Sequence, residues 1–141
     1  MKSIIILATC GLSLFCFKNK QTTTYSDQTE LSQSIERGKK VYQDFCVQCH
    51  LEQGEGQGKS IPPLRKSNWL TEKRNESIKT VKYGRKGLII VNGKEYRGIM
   101  GNLGLYDDEV ADVLNYVMNS FGNQQEKMVT ETEVKSVQNN N

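Results

Sequence analysis

The sequence predicts an all-α domain with one small β-hairpin, and three observations lead to this fold class. Apolar residues recur at three- and four-residue spacing after residue 34 and again after residue 107, as on one face of a helix. Residues 51–67 are rich in glycine and proline, so they are predicted to form a loop. Asn92 and Gly93 stand between a β-branched stretch and Tyr96, which is a local signal for a hairpin. At 141 residues the chain is long enough for one compact domain and too short for two ordinary ones.

The first 18 residues have the pattern of an export signal. Lys2 gives them a positive start, residues 4–17 are almost wholly apolar, and Lys18 ends the run. The run is typical of a signal peptide and is shorter than the roughly 20 residues that span a bilayer. Cys10 and Cys16 lie inside it, and either would serve as the lipid-bearing cysteine of a lipoprotein-type signal. We expect an exported protein that is soluble or is tethered to a membrane through Cys16 or Cys10.

A linker and the first helix begin the mature chain. Residues 19–33 are polar, without apolar periodicity, and are predicted to be a flexible linker. Ser34 is a suitable N-cap and opens the folded domain, which we place at residues 34–122. The apolar face of the first helix carries Ile35, Gly38, Tyr42 and Phe45.

Short elements follow the glycine-rich loop. A turn of helix can start at Ser67 or Asn68, and a second helix covers about residues 75–83 and stops at Gly84. The hairpin signal comes next, at residues 87–100.

The last helix is the clearest element of the sequence. Asp107 is a good N-cap, acidic residues follow it in the first turn, and Gly122 comes just after the helix end. The apolar face carries Val110, Val113, Leu114, Val117 and Phe121. Residues 123–141 form a polar tail that is predicted to be disordered or to hold one marginal helical turn.

The motif Cys-Val-Gln-Cys-His at residues 46–50 carries the chemistry. Cys46 and Cys49 are placed on one helical turn, where each thiol can form a thioether to a porphyrin vinyl group, and His50 then supplies a ligand to the iron. This residue set predicts one covalently attached haem c. Zinc would need four ligands, and His50 is the only histidine of the chain. A thiol–disulfide oxidoreductase is a further alternative, although no βαβ pattern surrounds the motif.

A second axial ligand is expected from a methionine. Met118 lies within the last helix and Met128 in the polar tail, where packing or exposure is the ordinary role of such a side chain. Met100 stands between glycines just before the last helix, so its thioether has room to approach iron. If Met100 is not a ligand, the alternative is a five-coordinate haem that binds gases or peroxide in a sensor or an enzyme.

Basic residues are concentrated in residues 59–97, where eleven of them face three acidic residues. Nucleic acid is not expected as the partner, because the stretch has no aromatic interleaving for base stacking. An acidic protein partner agrees better with an exported chain. A solvated positive face is the alternative reading. The residues expected to flank the haem edge are Lys59, Lys66, Lys82, Arg85 and Lys86.

These motifs together resemble the mono-haem class I cytochrome c family in its bacterial form, over residues 35–122. Gly38 and Tyr42 precede Cys46 at the spacing of that family, and Val113 and Tyr116 fit the partner helix. The resemblance implies crossed N- and C-terminal helices around one haem, with the hairpin before the axial methionine. It also implies a periplasmic electron carrier with His50 and Met100 as iron ligands and no enzymatic activity.

The resemblance also suggests further haem contacts. By its analogy the carbonyl of Pro62 accepts a hydrogen bond from His50, and Leu64 packs on the haem. Trp69 would lie near a haem propionate, or else pack in the core. Residues 91–96 resemble cytochrome domains that serve copper nitrite reductases, quinohaem dehydrogenases and terminal oxidases, which implies an acidic or membrane-bound reductase, dehydrogenase or terminal oxidase as partner. Many such relatives have a proline directly after the methionine, where this chain has Gly101.

Overall fold

The computed structural model describes residues 21–125 and 127–139. The predicted export signal, with Cys10 and Cys16, lies outside these residues. Among the helices of the described ranges, none combines the length and the apolar character needed to cross a membrane.

Helices dominate the described chain. The helices are α1 (Gln21–Phe45), α2 (Val47–His50), α3 (Asn68–Glu72), α4 (Arg74–Tyr83), α5 (Asp107–Met118) and α6 (Glu131–Ser136), and the strands are β1 (Arg85–Val91) and β2 (Lys94–Met100). The two strands form one antiparallel sheet. The prediction of a helix-rich domain with one small hairpin is therefore confirmed.

The hairpin has the register that its turn residues dictate. Val91 pairs with Lys94 next to the turn, and Arg85 pairs with Met100 at the open end. Asn92 and Gly93 form the turn with φ of 51° and 73°, the left-handed conformation that these residue types tolerate best. The register places Met100 beside the end of α4, so the hairpin carries this side chain back toward the helices.

Helices α1 and α5 pack directly against each other at Gly38. A Cβ atom at this position would overlap the backbone carbonyl of Asp112 on α5, so only glycine permits this approach. Tyr42 lies one turn further along α1, with its ring centroid 5.4 Å from Tyr116 and 5.3 Å from Phe121. Tyr42 and the buried apolar residues of α5 belong to the hydrophobic core of the domain.

A buried polar network adds to the contact between α1 and α5. The Asp112 carboxylate accepts hydrogen bonds from Arg37 Nε at 2.6 Å and from Ser34 Oγ at 2.6 Å. Asn115 Nδ2 donates to the same Ser34 oxygen at 2.7 Å. Asp112 is thus buried with its charge paired, as a stable interior requires.

The first helix starts earlier than the sequence suggested. Residues 21–33, predicted to be part of a flexible linker, are helical and continue into the packed half of α1. These residues contain neither glycine nor proline, and once a packed helix exists each added residue gains one backbone hydrogen bond. Asp27, Gln28 and Glu30 are exposed, so this part of the extension is helical without being packed on the core.

Residues 127–137 of the tail, predicted to be disordered or to hold one marginal helical turn, contain the short helix α6 and pack on the domain. Val129 and Val134 are fully buried, and Asn115 fixes Val129 by donating to its carbonyl at 2.9 Å and accepting from its amide at 2.7 Å. Arg74 on α4 makes two hydrogen bonds to the Glu133 carboxylate, at 2.6 and 2.7 Å. Buried valines and polar contacts to residues distant in the sequence hold the tail, and its polar composition does not reveal them.

Candidate functional site

One cavity brings the predicted site residues together. Its volume is about 220 Å³, and its wall includes all seven of them: Cys46, Cys49, His50, Pro62, Leu64, Trp69 and Met100. Most other residues of the wall are apolar and come from α3, α4, α5 and both strands. The folded chain therefore presents these seven side chains to a single space.

The two cysteines lie where α1 passes into α2. The amides of Cys49 and His50 both donate to the carbonyl of Cys46, at 3.1 and 2.9 Å, so the three residues share one helical turn. The two cysteines form no disulfide with each other; Cys46 is buried and Cys49 is exposed. Burial, with a smaller contribution from Cys49, raises the pKa of Cys46 to about 11.

His50 is held by Pro62. Its Nδ1 atom lies 3.2 Å from the Pro62 carbonyl oxygen, and because a carbonyl can only accept, Nδ1 carries the hydrogen in this bond. Burial lowers the pKa of His50, while the hydrogen bond to Pro62 opposes that effect. A neutral ring with its proton on Nδ1 leaves Nε2 as a lone-pair donor.

Met100 is the methionine of the described chain that lines this cavity. Met118 is buried in the hydrophobic core, and the Met128 carbonyl accepts a hydrogen bond from Arg74 in the tail region. Neither of them belongs to the cavity wall. Of the three methionines weighed from the sequence, Met100 is the one that shares a cavity with His50.

Arg85 was expected to flank the haem edge as part of a basic surface, and in the structure it lines the cavity itself. Its guanidinium carbon lies 5.2 Å from the centre of the Trp69 ring. One of its terminal nitrogens donates to the Leu88 carbonyl at 3.0 Å, but the buried Nε has no hydrogen-bond partner within the described ranges. The alternation of β1 could have indicated this position, because every second residue of a strand shares one face. The residues of β1 that line the cavity with Arg85 are Gly87, Ile89 and Val91.

Lys82 also differs from its expected role on the basic surface. Its ammonium lies 2.9 Å from Asp107 Oδ1 and donates to the Val134 carbonyl at 2.9 Å, so it is tied between α5 and α6. Lys59, Lys66 and Lys86 are exposed, as expected. The exposed basic surface near the cavity is thus smaller than the sequence suggested.

A family model described as cytochrome c matches residues 35–121. The match includes all seven cavity residues predicted from the sequence and excludes α6. A search of curated proteins found no match to the chain.

Proposed function

The chain belongs to the class I cytochrome c family, whose members carry covalently bound haem c, and from this we propose that it is a one-electron carrier with His50 and Met100 as axial ligands. Members of this family are usually electron carriers with redox proteins as partners. The observation that carries the proposal is the shared cavity of both thiols, the imidazole and the thioether.

The residues present fit a haem. Two thiols on one helical turn suit two vinyl groups, and the imidazole and the Met100 sulfur are the two donors of a six-coordinate iron. The mostly apolar wall suits the faces of a porphyrin. The unpartnered Nε of Arg85 suits a carboxylate, which a haem offers as a propionate.

Each protein group has a separate role in this proposal. The bound haem supplies an iron that takes up and releases one electron. The Pro62 carbonyl orients the His50 ring and increases its basicity as a ligand. Thioether ligation by Met100 favours the reduced iron and raises the potential, as suits a carrier. Leu64 would pack against a haem held in this cavity, and Trp69 with Arg85 would meet its carboxylates.

The finer parts of the fold and the setting of the protein belong to the same proposal. We expect α1 and α5 to cross at Gly38 with the haem beside them, as in this family. We also expect export to the bacterial periplasm, with or without a lipid tether at Cys10 or Cys16. Periplasmic export agrees with the family, whose members are commonly exported.

The partner is expected to be an acidic redox protein. Exposed Lys86 lies in β1 and pairs in register with Ile99, and exposed Lys59 contacts β2 through its carbonyl, which accepts from the Arg97 amide. Ile99 lies beside Met100 and is 86% exposed, so an apolar contact is available next to these charges. Complementary charge accelerates such encounters, and the transfer rate should fall as ionic strength rises. A rate that does not depend on salt would contradict docking by charge.

Absorption spectroscopy of the haem-loaded protein tests the ligation. The oxidised protein should show the weak long-wavelength band of an iron–sulfur bond. Met100→Ala should abolish the band, and Met128→Ala, a change outside the cavity, should keep it. The reduced wild type should not bind carbon monoxide readily. A missing band together with ready binding of carbon monoxide would favour the five-coordinate sensor or enzyme instead.

A further inference from the structure

Two glycines hold the main chain around Met100. A Cβ atom at Gly84, just after the end of α4, would lie 2.6 Å from the Met100 carbonyl oxygen and 2.8 Å from the Asn102 nitrogen. A Cβ atom at Gly98 would overlap the carbonyl oxygen of Ser60 and lie 3.0 Å from the carbonyl carbon. Real side chains avoid such distances, so Met100 lies in a segment fixed on two sides by close backbone contacts.

The contact at Gly98 continues into the loop that holds His50. The Arg97 amide donates to the Lys59 carbonyl at 2.8 Å, which docks β2 on this loop next to Ser60. Two backbone hydrogen bonds between Gln57 and Ile61, at 2.9 and 3.1 Å, close the loop into a tight turn. The next residue, Pro62, is the acceptor for His50.

The other end of this loop is fastened to the haem-attachment motif. The Gln57 side-chain amide donates to the carbonyls of Gln48 and Cys49, at 3.3 and 3.1 Å. One loop, residues 57–62, therefore contacts the attachment motif, the imidazole and the strand that ends in Met100.

We propose that the loop at residues 57–62 is a shared support for both axial ligands, and that Gly98 is the residue through which it positions Met100. The inference rests on the proposed ligation by Met100. It gives a physical reason why Gly101 can stand after the methionine in place of a rigid proline. The segment is fixed by contacts to Ser60 and Gly84 instead of by a proline ring.

Gly98→Ala tests this support. The φ angle of Gly98 lies outside the left-handed region, so the substitution adds a methyl group without imposing an unfavourable backbone angle. The methyl group should push β2 away from Ser60 and weaken the bond between Met100 and iron. The oxidised, haem-loaded variant should lose much of the iron–sulfur band and bind added imidazole about tenfold more tightly, in line with the usual cost of overpacking.

Gly101→Ala is the matched control. Gly101 is adjacent to Met100, also has an ordinary φ, and a Cβ atom there meets nothing within 4 Å. This variant should keep the wild-type band and imidazole affinity. If Gly98→Ala behaves like Gly101→Ala while the wild type shows the band, the shared support is wrong and ligation by Met100 stands. If the wild type itself lacks the band, ligation by Met100 fails, and the inference fails with it.

A second variant decides the matter if Gly98→Ala yields no haem-loaded protein. Gln57 is exposed, and Gln57→Ala removes only the two hydrogen bonds that fasten the loop to the attachment motif. Its imidazole affinity should rise severalfold above that of the wild type, because the loosened loop supports Met100 less firmly. An affinity equal to that of the wild type would overturn the proposal.

Discussion

The guanidinium of Arg85 lies over the ring of Trp69, with its central carbon 5.2 Å from the ring centre. Both side chains line the cavity, and within the described chain the buried Nε of Arg85 lacks a hydrogen-bond partner. Burial lowers the pKa of Arg85, yet a guanidinium stays charged in proteins. A buried N–H group of a cation is unfavourable without an acceptor, and a carboxylate of the bound cofactor would supply one for Nε.

Arg85→Gln should lower the reduction potential. Loss of a positive charge beside the haem stabilises the oxidised iron relative to the reduced iron, and we expect the reduction potential to fall by on the order of tens of millivolts. A redox titration of the haem-loaded protein measures it. Lys86→Gln removes the same charge from an exposed neighbour, where water and salt screen it, so its shift should be much smaller. Equal shifts in the two variants would show that Arg85 does not face the cofactor.

Gly38→Ala should destabilise the protein, against the usual effect of this substitution in a helix. Alanine ordinarily stabilises a helix interior by about 1 kcal/mol relative to glycine. Here the new Cβ would overlap the Asp112 carbonyl, and overpacking should lower the free energy of unfolding by about 1–3 kcal/mol. Denaturant titration measures the change, with Lys39→Ala at an exposed neighbouring site as the control. A more stable Gly38→Ala protein would show that α1 and α5 do not approach at this point.

Arg74→Gln should release the C-terminal tail. Arg74 bonds to the Glu133 carboxylate and to the carbonyls of Lys127 and Met128. Loss of these partly buried bonds should lower the free energy of unfolding by about 1–3 kcal/mol. Limited proteolysis should then cut the tail sooner than in the wild type. Lys135→Gln, which breaks the exposed pair with Glu131, should leave both properties unchanged. Identical proteolysis of wild type and Arg74→Gln would contradict the docking of α6.

The docking of the tail should also depend on pH. The hydrogen bonds from Arg74 lower the pKa of Glu133 below its ordinary value of 4.5. A carboxyl group whose pKa is lower in the folded state stabilises that state fully above pH 4.5, and this contribution is lost as pH falls through the lowered pKa. The protection factors of the Val129 and Val134 amides, which are exchange rates corrected for the intrinsic slowing in acid, should therefore fall at acidic pH in the wild type. Glu133→Gln should have lower protection factors at neutral pH and a weaker dependence on acid, since the other carboxyl groups are common to both proteins. The same acid dependence in both proteins would exclude Glu133 as the titrating group.

Local sequence patterns were sufficient to predict the elements whose conformation depends on residues close together in the chain. The hairpin follows from Asn92 and Gly93, because their left-handed conformations select both the turn and its register. The last helix follows from its acidic start and apolar face. The attachment motif needs only one helical turn, so its geometry is contained in five consecutive residues. The predicted family membership is confirmed by the family match.

Long-range pairing accounts for what the sequence did not predict. Arg74 and Glu133 are 59 positions apart, so no local pattern shows that they meet or that the tail folds back. In the sequence Arg85 is one of many basic residues, and only the register of β1 shows that its side chain contacts Trp69. The early start of α1 has another cause, since helix propagation from a packed segment leaves no apolar periodicity in the exposed part.

The mass of the purified, exported chain under denaturing conditions tests the central claim most directly. Covalent attachment at Cys46 and Cys49 predicts a chain that keeps one haem after extraction with acid and organic solvent, and in which neither thiol reacts with alkylating reagents. Replacing both cysteines by serine should remove the haem from the chain. A colourless wild-type chain of the bare polypeptide mass, with Cys46 and Cys49 both open to alkylation, would contradict the account.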